Sequence, residues 1–166
     1  AWADKGEFPP ANSTLSRFPE RVLQGKPYEI NTLFFYNCNP LFSNPHIQGF
    51  SQAMGKIPFV VSFSPYMDET TQNSDLILPD HTYLEKWQSN VTYSFQGFPV
   101  VGIGKPVVEP LYNTRNTGDI IIEIAKGIGN PIAKAFPWKD SKEMLIDTMK
   151  KVYEMNQGDL FAPEIE

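Results

Sequence analysis

Asn37, Cys38, Asn39 and Pro40 follow directly on the apolar run Thr32–Tyr36, and a second Asn-Pro pair, Asn44-Pro45, comes soon after. Side-chain amides at the end of a strand can pair with the donor and acceptor edge of a base or with ribose hydroxyls. Two further apolar runs also end in polar groups. Ser62, Phe63 and Ser64 close the run Pro58–Phe63, and Asp80, His81, Thr82, Glu85 and Lys86 follow Leu76–Leu78. Hydroxyls can serve the same ligand, and a lysine can meet a phosphate. In an open parallel sheet, ligands sit beyond the carboxyl ends of the strands, so these residues are the candidates. A plainer reading stands beside each. Asn-Pro makes turns, serines end strands, and Glu85 and Lys86 form a solvated pair of little energetic value. A lone cysteine is more often a small buried apolar residue than a nucleophile.

The elements that would position these residues follow from pattern. Thr32–Tyr36 is a continuous apolar run, as in a strand covered on both faces. Asn44 and Pro45 suit the start of a helix. Ile47, Phe50 and Met54 then share one helical face, and Gly55 suits its end. With Pro58–Phe63 as the next strand, this is a strand–helix–strand unit with a right-handed crossover. Asp68–Asn73 is a short helix and Leu76–Leu78 a short third strand. Val91–Phe95 alternates weakly. Residues 99–108 carry Pro and Gly every few positions and read as extended chain of edge-strand character. Thr117 caps a helix with Asp119 in its first turn, and its isoleucines make it apolar on most sides. Asp140 and Glu143 start an amphipathic last helix. The predicted fold class is α/β: a Rossmann-like open, mostly parallel sheet flanked by helices, with a helical C-terminal extension. Residues 1–26 form an extended lead-in in which Phe18–Gly25 makes one or two helical turns. Residues 27–135 form a nucleotide-binding α/β lobe, and 136–166 a C-terminal helix and tail of the same domain.

Composition narrows the function classes. The 166 residues suit one domain with an appendage, and 41% hydrophobic content is enough for a core. A formal charge of −5 argues against a nucleic-acid surface. One cysteine cannot close an internal disulfide. No apolar stretch approaches the roughly 20 residues that span a bilayer. No metal-ligand spacing and no nucleophile elbow occurs, and Gly102–Lys105 lacks the spacing of a phosphate loop. On these grounds alone no reaction can be named.

The order of the segments is more telling. The stretches LFFYNCNPLFSNP, IPFVVSFSPYMDETTQNSDLILPDHTYLEKW and KPVVEPLYNTRNTGDIIIEIAKGIG resemble, in that order, one region of the molybdopterin oxidoreductases that carry bis(molybdopterin guanine dinucleotide). The matching marks are Asn39-Pro40, Glu69-Thr70-Thr71, Ser74–Pro79 and Glu85-Lys86, over roughly residues 19–135. The third stretch is similar to the polysulfide, thiosulfate and tetrathionate reductase branch. The resemblance implies that Asn39 faces the guanosine of one cofactor half. It implies that Ser62, Phe63 and Ser64 contact ribose or guanine, although many relatives have Asp in that segment. Lys86 matches a lysine of some members, and Asp119 matches an Asp that accepts from the guanine edge.

Other parts of the family pattern have no counterpart. The iron–sulfur cysteine motif, the molybdenum-binding residue and the closing domain are missing, and Cys38 lies in the wrong motif for a molybdenum ligand. The chain begins at Ala1, not Met. The resemblance therefore implies a nucleotide-binding lobe excised from a large subunit and inactive alone. Molybdopterin guanine dinucleotide would belong to the full-length parent, and the fragment by itself need not retain it. The implied partners are the remainder of the large subunit, an iron–sulfur electron-transfer subunit and a membrane anchor, with no nucleic acid. The implied parent is prokaryotic, periplasmic or membrane-associated. Two alternatives stay open on the residues: a Rossmann-like assembly scaffold without nucleotide, such as the central domain of a thiamine-diphosphate enzyme, and a flavodoxin-like small-molecule binder.

Overall fold

The computed structural model describes residues 15–45, 47–92, 97 and 100–156. The fold is α/β. The chain divides into two compact units, one ending at Pro79 and one starting at Asp80. The stretch 27–135, read from the sequence as one lobe, runs across that boundary. The lead-in before residue 15 lies outside the described residues, as do residues 93–95 of the weakly alternating run.

The first unit is built on three parallel strands, β1 (Thr32–Tyr36), β2 (Phe59–Phe63) and β3 (Leu76–Ile77), in the order β1-β2-β3. Thr32 pairs with Phe59 and Tyr36 with Phe63, so β1 and β2 are in register to their carboxyl ends. Helices α1 (Phe18–Gln24) and α3 (Ile47–Lys56) pack on each other. The core between helices and sheet holds Val22, Phe35, Phe50, Ala53, Met54 and Val60. Phe50 stacks on Phe18 with ring centres 5.2 Å apart and meets Phe35 at a tilt. Gly25 ends α1 in the left-handed region, φ 65°, where its lack of a Cβ removes the penalty.

Three local readings are corrected here. β1 is not covered on both faces: Phe35 is buried, but Phe34 and Tyr36 are exposed. Among the described residues it is an outer strand of the sheet, whereas central β2 is buried from Val60 to Phe63. The helix start at Asn44-Pro45 also moves. Asn39 and Pro40 open a short helix, α2 (Pro40–Ser43), and Asn44 ends it; α3 begins at Ile47. Both Asn-Pro pairs carry the same start signal, and the first one takes it. Gly55 lies inside α3 and does not terminate it. The short helix read at 68–73 is α4 (Glu69–Gln72), capped by Asp68, whose side chain accepts from the Thr71 amide.

The second unit has an antiparallel pair, β4 (Gln88–Thr92) and β5 (Val100–Gly104), and helices α5 (Thr117–Ile128), α6 (Ile132–Ala135) and α7 (Ser141–Glu154). Helix α5 packs on α6 and α7. It buries Ile120, Ile122 and Ala125 but exposes Ile124 and Ile128, so only one face is covered within the unit. Its cap is Asn116, one residue before Thr117, with Asn116 Oδ1 accepting from the Gly118 amide at 2.9 Å. Asp140 caps α7 as its spacing to Glu143 suggests, accepting from the Glu143 amide at 2.8 Å. No helix among the described residues is long and apolar enough to cross a membrane.

Candidate functional site

At the carboxyl end of the first unit's sheet, the chain leaves β1 through Asn37. This residue has φ 47° and still donates its amide to Phe63 O, extending the ladder by one bond. Asn tolerates that left-handed conformation better than most residues. Two residues on, Asn39 holds the N-terminus of α2 through its carbonyl, which accepts from the Phe42 and Ser43 amides. Its side chain reaches the α4 segment. Oδ1 accepts from the Thr70 amide at 3.3 Å and from Thr70 Oγ1 at 2.7 Å, and Nδ2 donates to Glu69 Oε2 at 2.6 Å. The Thr70 amide can only donate, which settles which end of the Asn39 amide is oxygen. Thr70 is fully buried, and its Oγ1 accepts from the Leu41 amide.

The other strand-end candidates are placed differently. Ser62 is buried with its hydroxyl 2.8 Å from Thr71 Oγ1. Phe63 is buried and packs edge-on against Phe34. Ser64 folds its hydroxyl into the turn, donating to Tyr66 O and accepting from the Tyr66 amide. Asp75 pins the third strand, accepting from the Val60 amide at 2.7 Å while its own amide donates to Val60 O. Cys38 is exposed, yet partial desolvation of its sulfur raises the thiol against a lowering backbone hydrogen bond at Tyr36, and the nearby Asp68 charge adds to the rise. The Glu69 carboxyl lies below its ordinary range, chiefly through the Asn39 hydrogen bond and then through its own backbone. Glu69 is the polar group that sequence reasoning passed over. Its signal was the Glu-Thr-Thr triplet, which was read only as a family mark.

In the second unit, Lys86 and Asp119 line one cleft of about 210 Å³, together with His81, Glu85, Trp87 and the α7 start. Asp80 is fully buried. It takes the Lys86 ammonium on Oδ2 and the Thr117 amide on Oδ1. Asp119 Oδ1 accepts from the amide and the hydroxyl of Ser141, tying the first turn of α5 to the first turn of α7. Gly118 makes that approach possible: a Cβ there would lie 2.9 Å from Ser141 Cβ. Glu85 accepts from the Thr82 and Leu111 amides, and those bonds hold its carboxyl below the ordinary range. His81 Nδ1 is 2.6 Å from Thr114 Oγ1, and the Lys142 ammonium sits 5.0 Å from the Trp87 ring centre. Among the described residues no group of three His, Cys, Asp or Glu could hold a metal ion.

The comparison with family models assigns residues 11–127 to the molybdopterin oxidoreductases. The chain belongs to the molybdopterin oxidoreductase family. Over 115 residues it is 29% identical to the menaquinone reductase, molybdopterin-binding-like subunit, of Nitratidesulfovibrio vulgaris, covering 69% of this chain and 17% of that protein. It is 25% identical over 146 residues to the thiosulfate reductase molybdopterin-containing subunit PhsA of Salmonella typhimurium, covering 88% of this chain and 18% of that one. Its fold is similar to acetylene hydratase from Pelobacter acetylenicus, with a TM-score of 0.64 and 27% identity over 76% of this chain and 17% of that one. The chain thus spans less than a fifth of the length of these family members. The family assignment leaves the thiamine-diphosphate and flavodoxin-like alternatives without support.

Proposed function

We propose that the chain is the guanosine-binding lobe of a molybdenum bis(molybdopterin guanine dinucleotide) oxidoreductase catalytic subunit, and that it does not turn over substrate alone. The observation that carries this reading is the Asn39 cluster at the carboxyl end of β1. In a parallel sheet that is where a nucleotide is held, and Asn39, Glu69 and Thr70 form one ordered polar group there. These residues fit a purine nucleoside: they offer a carboxylate and an amide on a rigid base. Ser62, Phe63 and Ser64 would then shape the strand end from within, as buried side chains behind the exposed amide and carboxylate. Lys86 and Asp119 are, in the same proposal, cofactor contacts of the second unit's own cleft. The molybdenum–pterin part supplies two-electron redox chemistry when bound; this chain's residues bind and orient the guanosine end. The remainder of the large subunit, with its iron–sulfur and membrane-anchor partners, supplies what this chain lacks. The exposed apolar residues on one face of the β4–β5 pair, Val91, Val101 and Ile103, fit a chain that works inside a larger protein.

Titration of GDP into the isotope-labelled chain tests this. Amide shifts should concentrate at residues 37–40, 62–64 and 69–71, with a second set at Lys86 and Asp119. Shifts that avoid residues 37–40 and 62–64 would overturn the proposal. A viologen-linked assay of the chain alone should show no reductase activity, and measurable turnover would refute the claim of inactivity.

A further inference from the structure

Residues 105–116 are the irregular chain between β5 and α5. Hydrogen bonds tie them to the segment 80–85. The Val107 and Val108 amides donate to Leu84 O at 2.9 and 3.3 Å. The Leu111 amide donates to Glu85 Oε1 at 3.1 Å. Thr114 Oγ1 lies 2.6 Å from His81 Nδ1, and just beyond, the Thr117 amide donates to Asp80 Oδ1 at 2.9 Å. As the chain advances from 107 to 117, its partners run back from Leu84 and Glu85 to Asp80, so the two segments lie antiparallel. Packing does not hold the loop down: Val107, Val108, Leu111 and Tyr112 are all at least half exposed. The polar ties hold it, and they are graded. Asp80 at one end is fully buried, whereas the bond to Leu111 is exposed.

We infer that residues 105–116 form a strap, hinged at the buried Asp80–Thr117 bond and latched by Glu85, that opens as a unit when the latch is lost. Glu85 is aimed by its own turn. Its amide donates to Thr82 O at 3.0 Å while its Oε2 accepts from the Thr82 amide at 2.9 Å. That reciprocal pair leaves Oε1 for Leu111. The Thr82 and Leu111 amides hold the carboxyl below its ordinary range, so the latch is a charged acceptor at neutral pH. Glu85 and His81, two of the strap's ties, also line the second unit's cleft. Opening therefore frees a carboxylate oxygen and an imidazole nitrogen at the cleft wall. This inference does not rest on the nucleotide-binding reading.

Chymotrypsin tests it, because the protease cuts after Leu111 and Tyr112 only when the strap leaves its seat, however exposed those side chains are. The full wild-type chain should be cut there at least about tenfold more slowly than a free peptide of residues 105–117. Glu85→Ala should be cut about fivefold or more faster than wild type, the order of one lost hydrogen bond to a charged group. Thr114→Val, which removes the His81 tie, should also be cut faster. Amide exchange separates a strap opening as a unit from a single lost bond: in Glu85→Ala the Val107 amide should exchange faster while the Thr117 amide stays as protected as in wild type. Wild-type cleavage as fast as that of the peptide, an unchanged rate in Glu85→Ala, an unchanged Val107 amide, or a Thr117 amide that loosens equally would each overturn the inference. If the urea midpoint shows that Glu85→Ala does not fold, Thr114→Val decides, and its unchanged cleavage overturns the strap.

Discussion

Replacing Asp80 tests whether the second unit is organised around one buried carboxylate. Asp80 is 0% exposed, and its partner Lys86 is 9% exposed. The same side chain also accepts from the Thr117 amide at 2.9 Å, which ties the loop after residue 80 to the start of α5. Removing the carboxylate takes from the buried Lys86 ammonium its ion-pair partner, Asp80 Oδ2, a change that costs about 3–5 kcal/mol in buried pairs. Losing the acceptor of the Thr117 amide adds about 1 kcal/mol. Asp80→Ala should therefore remove about 4–6 kcal/mol, a large share of the ~5–15 kcal/mol typical of a folded domain. Lys86→Met should also be costly, because Asp80 then stays buried as an unpaired carboxylate. The double variant Asp80→Ala, Lys86→Met removes both charges with the same two substitutions. It should be less destabilised than the sum of the two single changes by at least ~1 kcal/mol. Urea unfolding followed by tryptophan fluorescence in a Trp2→Phe background reads this unit, since the two remaining tryptophans, Trp87 and Trp138, both lie in it. Single variants that each cost less than ~1 kcal/mol and add without coupling would show that the pair organises nothing.

Three further perturbations have expected outcomes. Gly118→Ala places a methyl group 2.9 Å from Ser141 Cβ, so α5 and α7 must separate; the loss should be about 1–3 kcal/mol in urea unfolding, and Ser141→Gly in the same chain should recover part of it. Asn39→Ala leaves the buried Thr70 hydroxyl and the Thr70 amide without their acceptor, which should cost about 1–3 kcal/mol, whereas Asn39→Asp should retain the Thr70 bonds but lose the donor to Glu69 and weaken GDP binding. Glu85 has a folded-state carboxyl below the ordinary glutamate value of about 4.3; its stabilisation is present above that value and is lost as pH falls through the folded value, so Glu85→Gln should flatten the decline of the urea midpoint on the acid side of pH ~4.3 and leave its slope at neutral pH unchanged.

β2, α4 and α1 of the first unit were readable in the sequence because local signals marked them clearly. β2 has both an uninterrupted apolar run and flanking punctuation. α4 has Asp68 at the cap and four polar residues behind it, and α1 has Gly25 where a left-handed residue is needed. The misreadings fall where one signal had two possible homes. Asn39-Pro40 and Asn44-Pro45 both announce a helix start, and spacing to the apolar face favoured the second although the chain uses the first. The burial of β1 was overestimated because an apolar run does not reveal whether a strand is central or outermost; that depends on a pairing partner, which local pattern does not encode. The same gap explains α5. Its isoleucines suggested cover on most sides, yet Ile124 and Ile128 face solvent in this unit.

The site was legible in position more than in role. Strand-end logic picks out Asn39 correctly as a polar group at the carboxyl edge of the sheet, but it treats each residue as free to meet a ligand. The structure shows that partners decide which atoms remain available. Asn39 Oδ1, the Ser62 hydroxyl and Asp119 Oδ1 are each engaged by a neighbour that lies far away in sequence, at Thr70, Thr71 and Ser141. A side chain whose acceptor is satisfied internally acts on a ligand through whatever it orients. For Asn39 that is Glu69, thirty residues away in sequence. Nothing in the spacing of an amide and a carboxylate so far apart announces a hydrogen bond between them. Only the parallel pairing of β1 with β2, which brings the loops after both strands to one edge, makes them neighbours. Replacing Glu69 and replacing Asn39 should therefore weaken the same GDP binding, and a double variant should be no worse than the more damaging single one. Independent, additive losses would mean that the two side chains do not act as one recognition edge.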